Sequence, residues 1–316
     1  MGDLPRVTIV IPVYNGANYL HEAIDSALAQ TYPNVEVLVV NDGSSDGGAT
    51  EAIARSYGTR IRYLAKPNGG VASALNLGLR EMTGEYFSWL SHDDVYLPRK
   101  VAAQIERAGS EPRDAILYSD YEFIDPAGRH LRTRRVGDVG PSMRVALITG
   151  DPVNGCTVLA PRSLLLRAGG FDESLRTIQD YDLWFRLAAD HPFVHVPEVL
   201  LKSRVHPDQG IRTIGTHFEE CTRRFQWFIA QLGEDEIRRI YGGSLASFYG
   251  RLALNMKLRG FDEVARFALR RARAGARKAS LAERAELAGV ALACTVLTKK
   301  MKPSYWLGRL RARGRA

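Results

Sequence analysis

The sequence has little of what a secreted or redox protein needs. Three of its 316 residues are cysteine. Cys156, Cys221 and Cys294 stand too far apart for a disulfide scaffold or a metal-binding spacing, so a reducing cytoplasm is the expected compartment. Met1-Gly2-Asp3 leads directly into a strand-like run, without the basic and then apolar segments of a signal peptide. The apolar run Leu287 to Leu297 holds eleven residues, too few to span a bilayer. The sequence contains no low-complexity tract and no internal repeat. It also lacks a glycine fingerprint of the dinucleotide type after the first strand and a phosphate loop ending in Lys-Ser/Thr, which excludes two common nucleotide-binding designs.

Positive charge is abundant but confined. The net charge is +8, yet Asn255 to Ala316 alone carries sixteen Lys/Arg against four Asp/Glu, a net of +12, leaving 8 − 12 = −4 on the rest. A basic end attracts anionic lipid or nucleic acid and says nothing of the chemistry in the mildly acidic body.

In that body, short strands alternate with helices. Val7–Pro12, Val35–Asn41, Ile61–Ala65 and Tyr86–Leu90 read as buried strands. A helix capped by Asn18 and running to about Gln30, one ending near Tyr57, and one carrying Val71, Leu75, Leu79 and Met82 on one face separate them. This alternation predicts an α/β fold with a doubly wound, Rossmann-like, mostly parallel sheet. Ligands of such sheets bind outside the carboxyl ends of the strands. There the sequence places Tyr14-Asn15, Asp42 and Asp93-Asp94. Two adjacent carboxylates in a crevice are unfavourable unless a cation or donor groups meet them. Hard oxygen ligands suit Mg²⁺ or Mn²⁺. The plainer alternatives are a helix cap for the pair and a tight turn for Asp42-Gly43-Ser44.

Ile11-Pro12-Val13-Tyr14-Asn15, Val40-Asn41-Asp42-Gly43-Ser44-Ser45-Asp46, Asn68-Gly69-Gly70 and Asp93-Asp94 occur in the order and spacing of the family 2 glycosyltransferases, which the chain resembles over about its first 210 residues. The resemblance implies a GT-A fold and inversion at the anomeric carbon. It also implies that Pro12, Tyr14, Asn15 and Asp42 embrace the nucleotide, with Lys66, Asn68 and Gly70 beside the base or diphosphate. Many relatives carry an Asp where Ser91 stands here. Asp93 is therefore expected on the ribose or sugar side and Asp94 as the main metal ligand, with His92 a spacer.

Further on, Gly169-Gly170-Phe171-Asp172-Glu173 and Gln179-Asp180-Tyr181-Asp182-Leu183-Trp184 match another family pattern, with Gln179 in place of the usual Glu. The resemblance makes Asp180 the catalytic base. An inverting transfer needs one carboxylate to take the acceptor hydroxyl proton. Asp180 also reads as a helix cap, and Gln179 and Trp184 are candidates to face the acceptor. Arg204-Val205-His206-Pro207-Asp208-Gln209 resembles the family's Arg-x-His-x-x-Gln loop. Its Arg204 offers a fork to phosphate, and His206 is a candidate third metal ligand. Between these motifs, Pro98 to about Gly109 reads as helix, Ala115–Asp120 as strand, Tyr121–Arg135 as a hairpin, Val136–Asp151 as a mobile lid with one short helix, and Phe193–Pro197 as strand.

The expected organisation is a catalytic domain at 1–214, with a donor half at about 1–97 and an acceptor half at 98–214, then a helical C-terminal extension at 215–316. Basic residues around Tyr305 and Trp306 suggest an interfacial segment on an anionic membrane surface at the inner face of the plasma membrane. The body offers no nucleic-acid module, so no nucleic-acid partner is expected. The expected reaction is metal-dependent sugar transfer from a nucleotide-diphosphate sugar, UDP or dTDP ahead of GDP, to a glycan or lipid-linked acceptor in cell-surface polysaccharide synthesis. The rivals are a non-catalytic nucleotide-sugar or glycan-binding protein and a sugar nucleotidyltransferase. The second would want a glycine-rich basic loop where Pro12-Val13-Tyr14-Asn15-Gly16 stands.

Overall fold

The computed structural model describes residues 4–139, 143–150, 152–209, 214–276 and 280–296. The chain divides into two compact units, Met1–Leu147 with Asp151–His217 and Ile148–Gly150 with Phe218–Ala316.

The first unit runs β1 (Val7–Val13), α1 (Leu20–Leu28), β2 (Val35–Asn41), α2 (Ala49–Ser56), β3 (Arg62–Ala65), α3 (Val71–Glu81), β4 (Tyr86–Trp89), β5 (Val95–Tyr96), α4 (Lys100–Ala108), β6 (Ile116–Ile124), β7 (His130–Arg134), α5 (Met143–Thr149), β8 (Leu159–Pro161), α6 (Arg162–Arg167), α7 (Gln179–Leu187) and β9 (Phe193–Arg204). Its strands form one sheet in the order β3-β2-β1-β4-β8-β6-β9-β5, with β7 paired to β6. All seven residues of β1 are buried, as an unbroken apolar strand flanked by crossover helices on both faces should be. The sheet is parallel from β3 to β4 and mixed beyond, where β8 enters antiparallel between β4 and β6.

Two local expectations need correction, and the short β8 is an addition to them. Asn18 does not cap α1: Tyr19 occupies the N-cap without a side-chain bond. β8 has three residues, too few to leave a periodic signal. β9, expected to stop at Pro197, continues to Arg204. The β6–β9 register jumps from Ser119↔Val196 to Asp120↔Val199, so the ladder passes over Pro197, which has no N–H to donate. That continuation carries Arg204 and His206 toward the end of β4.

The second unit contains α8 (His217–Gln231), α9 (Glu234–Ile240), α10 (Leu245–Leu258), α11 (Asp262–Gly275) and α12 (Leu281–Val296). Phe218 stacks on Phe261 at 4.5 Å between ring centres, and Phe225 meets Phe261 edge-on at 5.1 Å. The apolar faces of α8 and α10 are core, with Phe225, Phe228, Phe248, Leu252 and Met256 buried. No described helix is long and apolar enough to cross a membrane. The segment around Tyr305 and Trp306 read as membrane-associating lies outside the described residues, as do Gly140–Ser142 and Asp151 of the expected lid and Gly210 to Thr213.

Candidate active site

Parallel pairing brings the ends of β1, β2, β3 and β4 to one edge of the sheet, and their loops are tied together by side chains. Asn15 adopts φ +50°, a left-handed conformation that asparagine tolerates. Its N–H donates to Ser44 Oγ (2.9 Å), and its Oδ1 accepts from Ser45 N (2.7 Å). Tyr14 stands beside this junction, 48% exposed. Pro12 does not reach the rim: it is buried in β1 opposite Val40.

Asp42 is buried and takes Lys66 Nζ (2.7 Å), Gly69 N (3.0 Å) and Gly70 N (2.7 Å). One carboxylate therefore folds the Lys66–Gly70 loop over the end of β2. A carboxylate offers about four lone-pair sites, so three partners leave room for one more donor. Gly43 makes this closure possible: at φ +70°, a Cβ on it would lie 2.6 Å from Asn68 N.

At the end of β4, Asp94 is 5% exposed and accepts Arg204 N at 2.8 Å. Burial and the neighbouring Asp93 charge push its carboxyl well above the usual range, against the Arg204, Cys156 and Ser203 donors. Asp93 is held below that range despite its burial, because His206 Nε2 lies 2.8 Å from its Oδ2. His92 packs against Gly16, where a Cβ would come within 2.6 Å of its ring. It is the spacer expected between the β1 and β4 loops.

The phosphate fork expected of Arg204 is engaged inside the protein. The residue is 1% exposed. Its Nε donates to Asp93 O, Nη1 to Pro126 O and Nη2 to Glu22 Oε2, and the guanidinium sits 4.4 Å over the Tyr19 ring. Arg204 thus latches the 204–209 loop down, and Gln209 closes the loop by donating to Arg204 O.

Across the cleft, Asp180 is not the cap of α7. Ile178 holds the N-cap, and Asp180 lies in the first turn with Oδ1 accepting Tyr181 N at 2.9 Å. Its Oδ2 faces Gly155, 3.3 Å from where a Cβ would stand. The same Cβ would lie 2.5 Å from the Trp89 ring, so Gly155 is the spacer between β4 and Asp180. The next residue, Cys156, approaches Ser91 N at 3.3 Å and donates toward Asp94. One turn, Asn154 to Thr157, therefore borders both Asp94 and Asp180. Gln179, expected to face the acceptor, is 5% exposed, with Oε1 buried and unpartnered. Trp184 is wholly buried, edge-on to Phe171 and Phe193. It belongs to the core and not to an acceptor site.

The Glycosyl transferase family 2 model matches residues 8–158. An uncharacterized glycosyltransferase of Rickettsia prowazekii is 44% identical over 270 residues, which cover 84% of each chain. The chain is a family 2 glycosyl transferase. It spans 40% of the length of a longer relative in Rickettsia felis, an uncharacterized glycosyltransferase 48% identical over 238 residues that make up 74% of this chain. A chondroitin synthase of Pasteurella multocida is 32% identical over 67% of this chain and 22% of its own length. The S. aureus TarS 1–349 structure in complex with UDP superposes with a TM-score of 0.57 at 18% identity, over 88% of this chain and 77% of that one.

Among the described residues of this transferase, no three His, Cys, Asp or Glu side chains meet in a ready-made metal cage. What they offer is an incomplete one. Asp93 and Asp94 supply hard oxygens. His206 turns its Nε2 toward Asp93 Oδ2 at 2.8 Å, so this ring nitrogen is the one that a cation beside Asp93 would take in place of the hydrogen bond. Two carboxylates and an imidazole with positions left for phosphate oxygens fit Mg²⁺ or Mn²⁺. Sequence reasoning missed the Asn154–Thr157 turn as part of the site. Its Asn-Gly dipeptide is the signal that was there to be read.

Proposed function

We propose that the enzyme is an inverting transferase that moves a sugar from a nucleoside-diphosphate donor, UDP-linked ahead of dTDP- or GDP-linked, to a hydroxyl of a glycan or lipid-linked acceptor. The observation that carries this reading is the turn at Asn154–Thr157, which borders Asp94 on one side and Asp180 on the other. Separate acids flanking one cleft suit a single displacement, because one can serve the leaving group while the other serves the nucleophile. TarS, whose fold this chain shares, has been solved with UDP and with UDP-GlcNAc. That supports a uridine donor, as the relationship to a chondroitin synthase supports a polysaccharide product.

In this mechanism, Tyr14, Asn15 and the Asp42-braced loop with Lys66, Asn68 and Gly70 hold the nucleotide. Asp93 faces the ribose. Asp94, with Asp93 and His206, would hold a divalent cation, which when bound neutralises charge on the departing diphosphate. Asp180 takes the proton of the attacking acceptor hydroxyl at its Oδ2, on the side of Gly155. The inversion needs no covalent sugar–enzyme intermediate. Residues 1–214 would form the catalytic domain. The basic C-terminal region would rest on an anionic inner-membrane surface beside a lipid-linked acceptor.

The test is transfer from a panel of nucleotide sugars in Mg²⁺ or Mn²⁺, with Asp180→Asn as the control. Turnover by the parent and none by the variant is the expected result. A parent that binds donors without any turnover would make the protein a binder. Flotation of full-length protein with anionic but not neutral vesicles checks the membrane role.

A further inference from the structure

Arg176 lies in none of the motifs used so far, yet the fold carries it to the donor side. The loop that bears it is pinned to α3 by Asn76. Asn76 Nδ2 donates to Phe171 O (2.8 Å) and to Glu173 Oε1 (2.9 Å), and its Oδ1 accepts Phe171 N (2.9 Å). Gly170 allows the approach: at φ +71°, a Cβ there would stand 2.5 Å from Asn76 Oδ1. Asn76 is 8% exposed, so this clamp is internal and holds the loop to the middle of the helix. The loop then passes the Gly69-Gly70 turn. A Cβ built on Gly70 would lie 3.7 Å from Cζ and from Nε of Arg176, and one on Gly69 2.9 Å from Lys66 Nζ. Two cationic side chains therefore flank one turn, while the amides of Gly69 and Gly70 are already given to Asp42. An anion arriving at this turn finds those two amides engaged and two side-chain cations beside them.

We propose that Arg176 binds the phosphate chain of the nucleotide donor, resting on the glycosyltransferase reading given above. A guanidinium presents paired N–H donors that match phosphate oxygens, which a lysine at the same place does less well. The residue is exposed, so it is accessible to a ligand and its removal leaves the core intact. Only Thr177, Ile178 and Gln179 separate it from Asp180.

The experiment measures UDP, UMP and GDP binding in Mn²⁺ by calorimetry for the full-length parent, Arg176→Ala and Arg176→Lys, with donor and acceptor KM where turnover is found. The expected result is a loss of about tenfold or more in UDP affinity for Arg176→Ala, with a smaller loss for UMP and partial recovery in Arg176→Lys. Donor KM rises, acceptor KM stays within about twofold, and the melting temperature of the unliganded variant stays at the parent value. If Arg176→Ala binds UDP as the parent does, the assignment fails while the function stands. If Arg176→Ala and Arg176→Lys lose affinity equally and both shift the unliganded melting temperature, the residue is structural and the assignment fails. A parent that binds none of the nucleotides overturns the functional reading itself.

Discussion

The sheet carries buried carboxylates at both of its edges, and they are treated in opposite ways. At the amino ends of the strands, Glu36 accepts Thr8 Oγ1 (2.5 Å), Thr83 N and Oγ1 (both 2.9 Å) and Arg62 Nη1 (2.6 Å). Burial alone would raise its pKa, but these donors outweigh it and hold the carboxyl at about 2. At the carboxyl ends, Asp94 is as deeply buried, yet burial and a like charge next to it push its carboxyl well above the usual range. A carboxylate meant to join β1, β2 and the turn before β4 is given every donor it needs. The one proposed to meet a cation has donors from Arg204, Cys156 and Ser203 but a second carboxylate beside it. A cationic partner, Arg62, beside the one and a like charge, Asp93, beside the other separate the two acids.

The sharpest way to break that comparison is to neutralise each acid in turn. Asp94→Asn and Asp180→Asn should each lower kcat/KM about 10²- to 10⁴-fold while the melting temperature stays near the parent's. A fully active Asp94→Asn protein would remove the distinction. Glu36→Gln should do the reverse, costing about 2–4 kcal/mol of stability in a denaturant titration with activity per folded molecule unchanged. Its pH signature has a definite sign. The folded carboxyl titrates at about 2 against an ordinary 4.5. Its contribution is therefore complete above pH 4.5 and lost as the pH falls toward 2, a slope that Glu36→Gln should lack.

Smaller effects sharpen the same contrast at the carboxyl edge. Gly155→Ala puts a Cβ 2.5 Å from the Trp89 ring and 3.3 Å from Asp180 Oδ2. It should cost about 1–3 kcal/mol in unfolding and at least about tenfold in kcat. Just beneath lies Lys100, fully buried, bonded to Ser88 Oγ and Val158 O and set 4.4 Å over the Tyr96 ring. Burial pulls its ammonium down to about 7 from 10.5. The cost of charging it is whole below pH 7 and disappears as the pH rises to 10.5. Parent stability should therefore climb by about 1–2 kcal/mol more across that window than that of Lys100→Met, as measured by melting at stepped pH.

The donor half could be read in the sequence because its parts are local. Each strand from β1 to β4 is followed within a few residues by its loop, so Tyr14-Asn15, Asp42 and Asp93-Asp94 could be set at one end of the sheet from pattern, and Lys66 from the family resemblance. The acceptor half resisted because its parts are distant in the chain. Three residues of β8 slip between β4 and β6. β9 runs on past Pro197 to bring Arg204 N onto Asp94 across 110 positions. Arg204 shows the cost of reading a motif without its surroundings: residue type suggested a free phosphate fork, whereas Glu22, Asp93 and Pro126 occupy it. Trp184 erred likewise, since an aromatic on a helix face looks the same whether the face meets a ligand or the core.

By itself the sequence determined the alternation of strands and helices, the family and the carboxylates that end β4, because strand hydrophobicity and short turn motifs are properties of neighbouring residues. Only the tertiary structure decided which buried polar groups are satisfied, that one Asn-Gly turn borders both Asp94 and Asp180, and that Asn76 carries Arg176 to Gly70. Those outcomes depend on the partners that folding brings from far along the chain, and a carboxylate or guanidinium acquires its role from the company it is given.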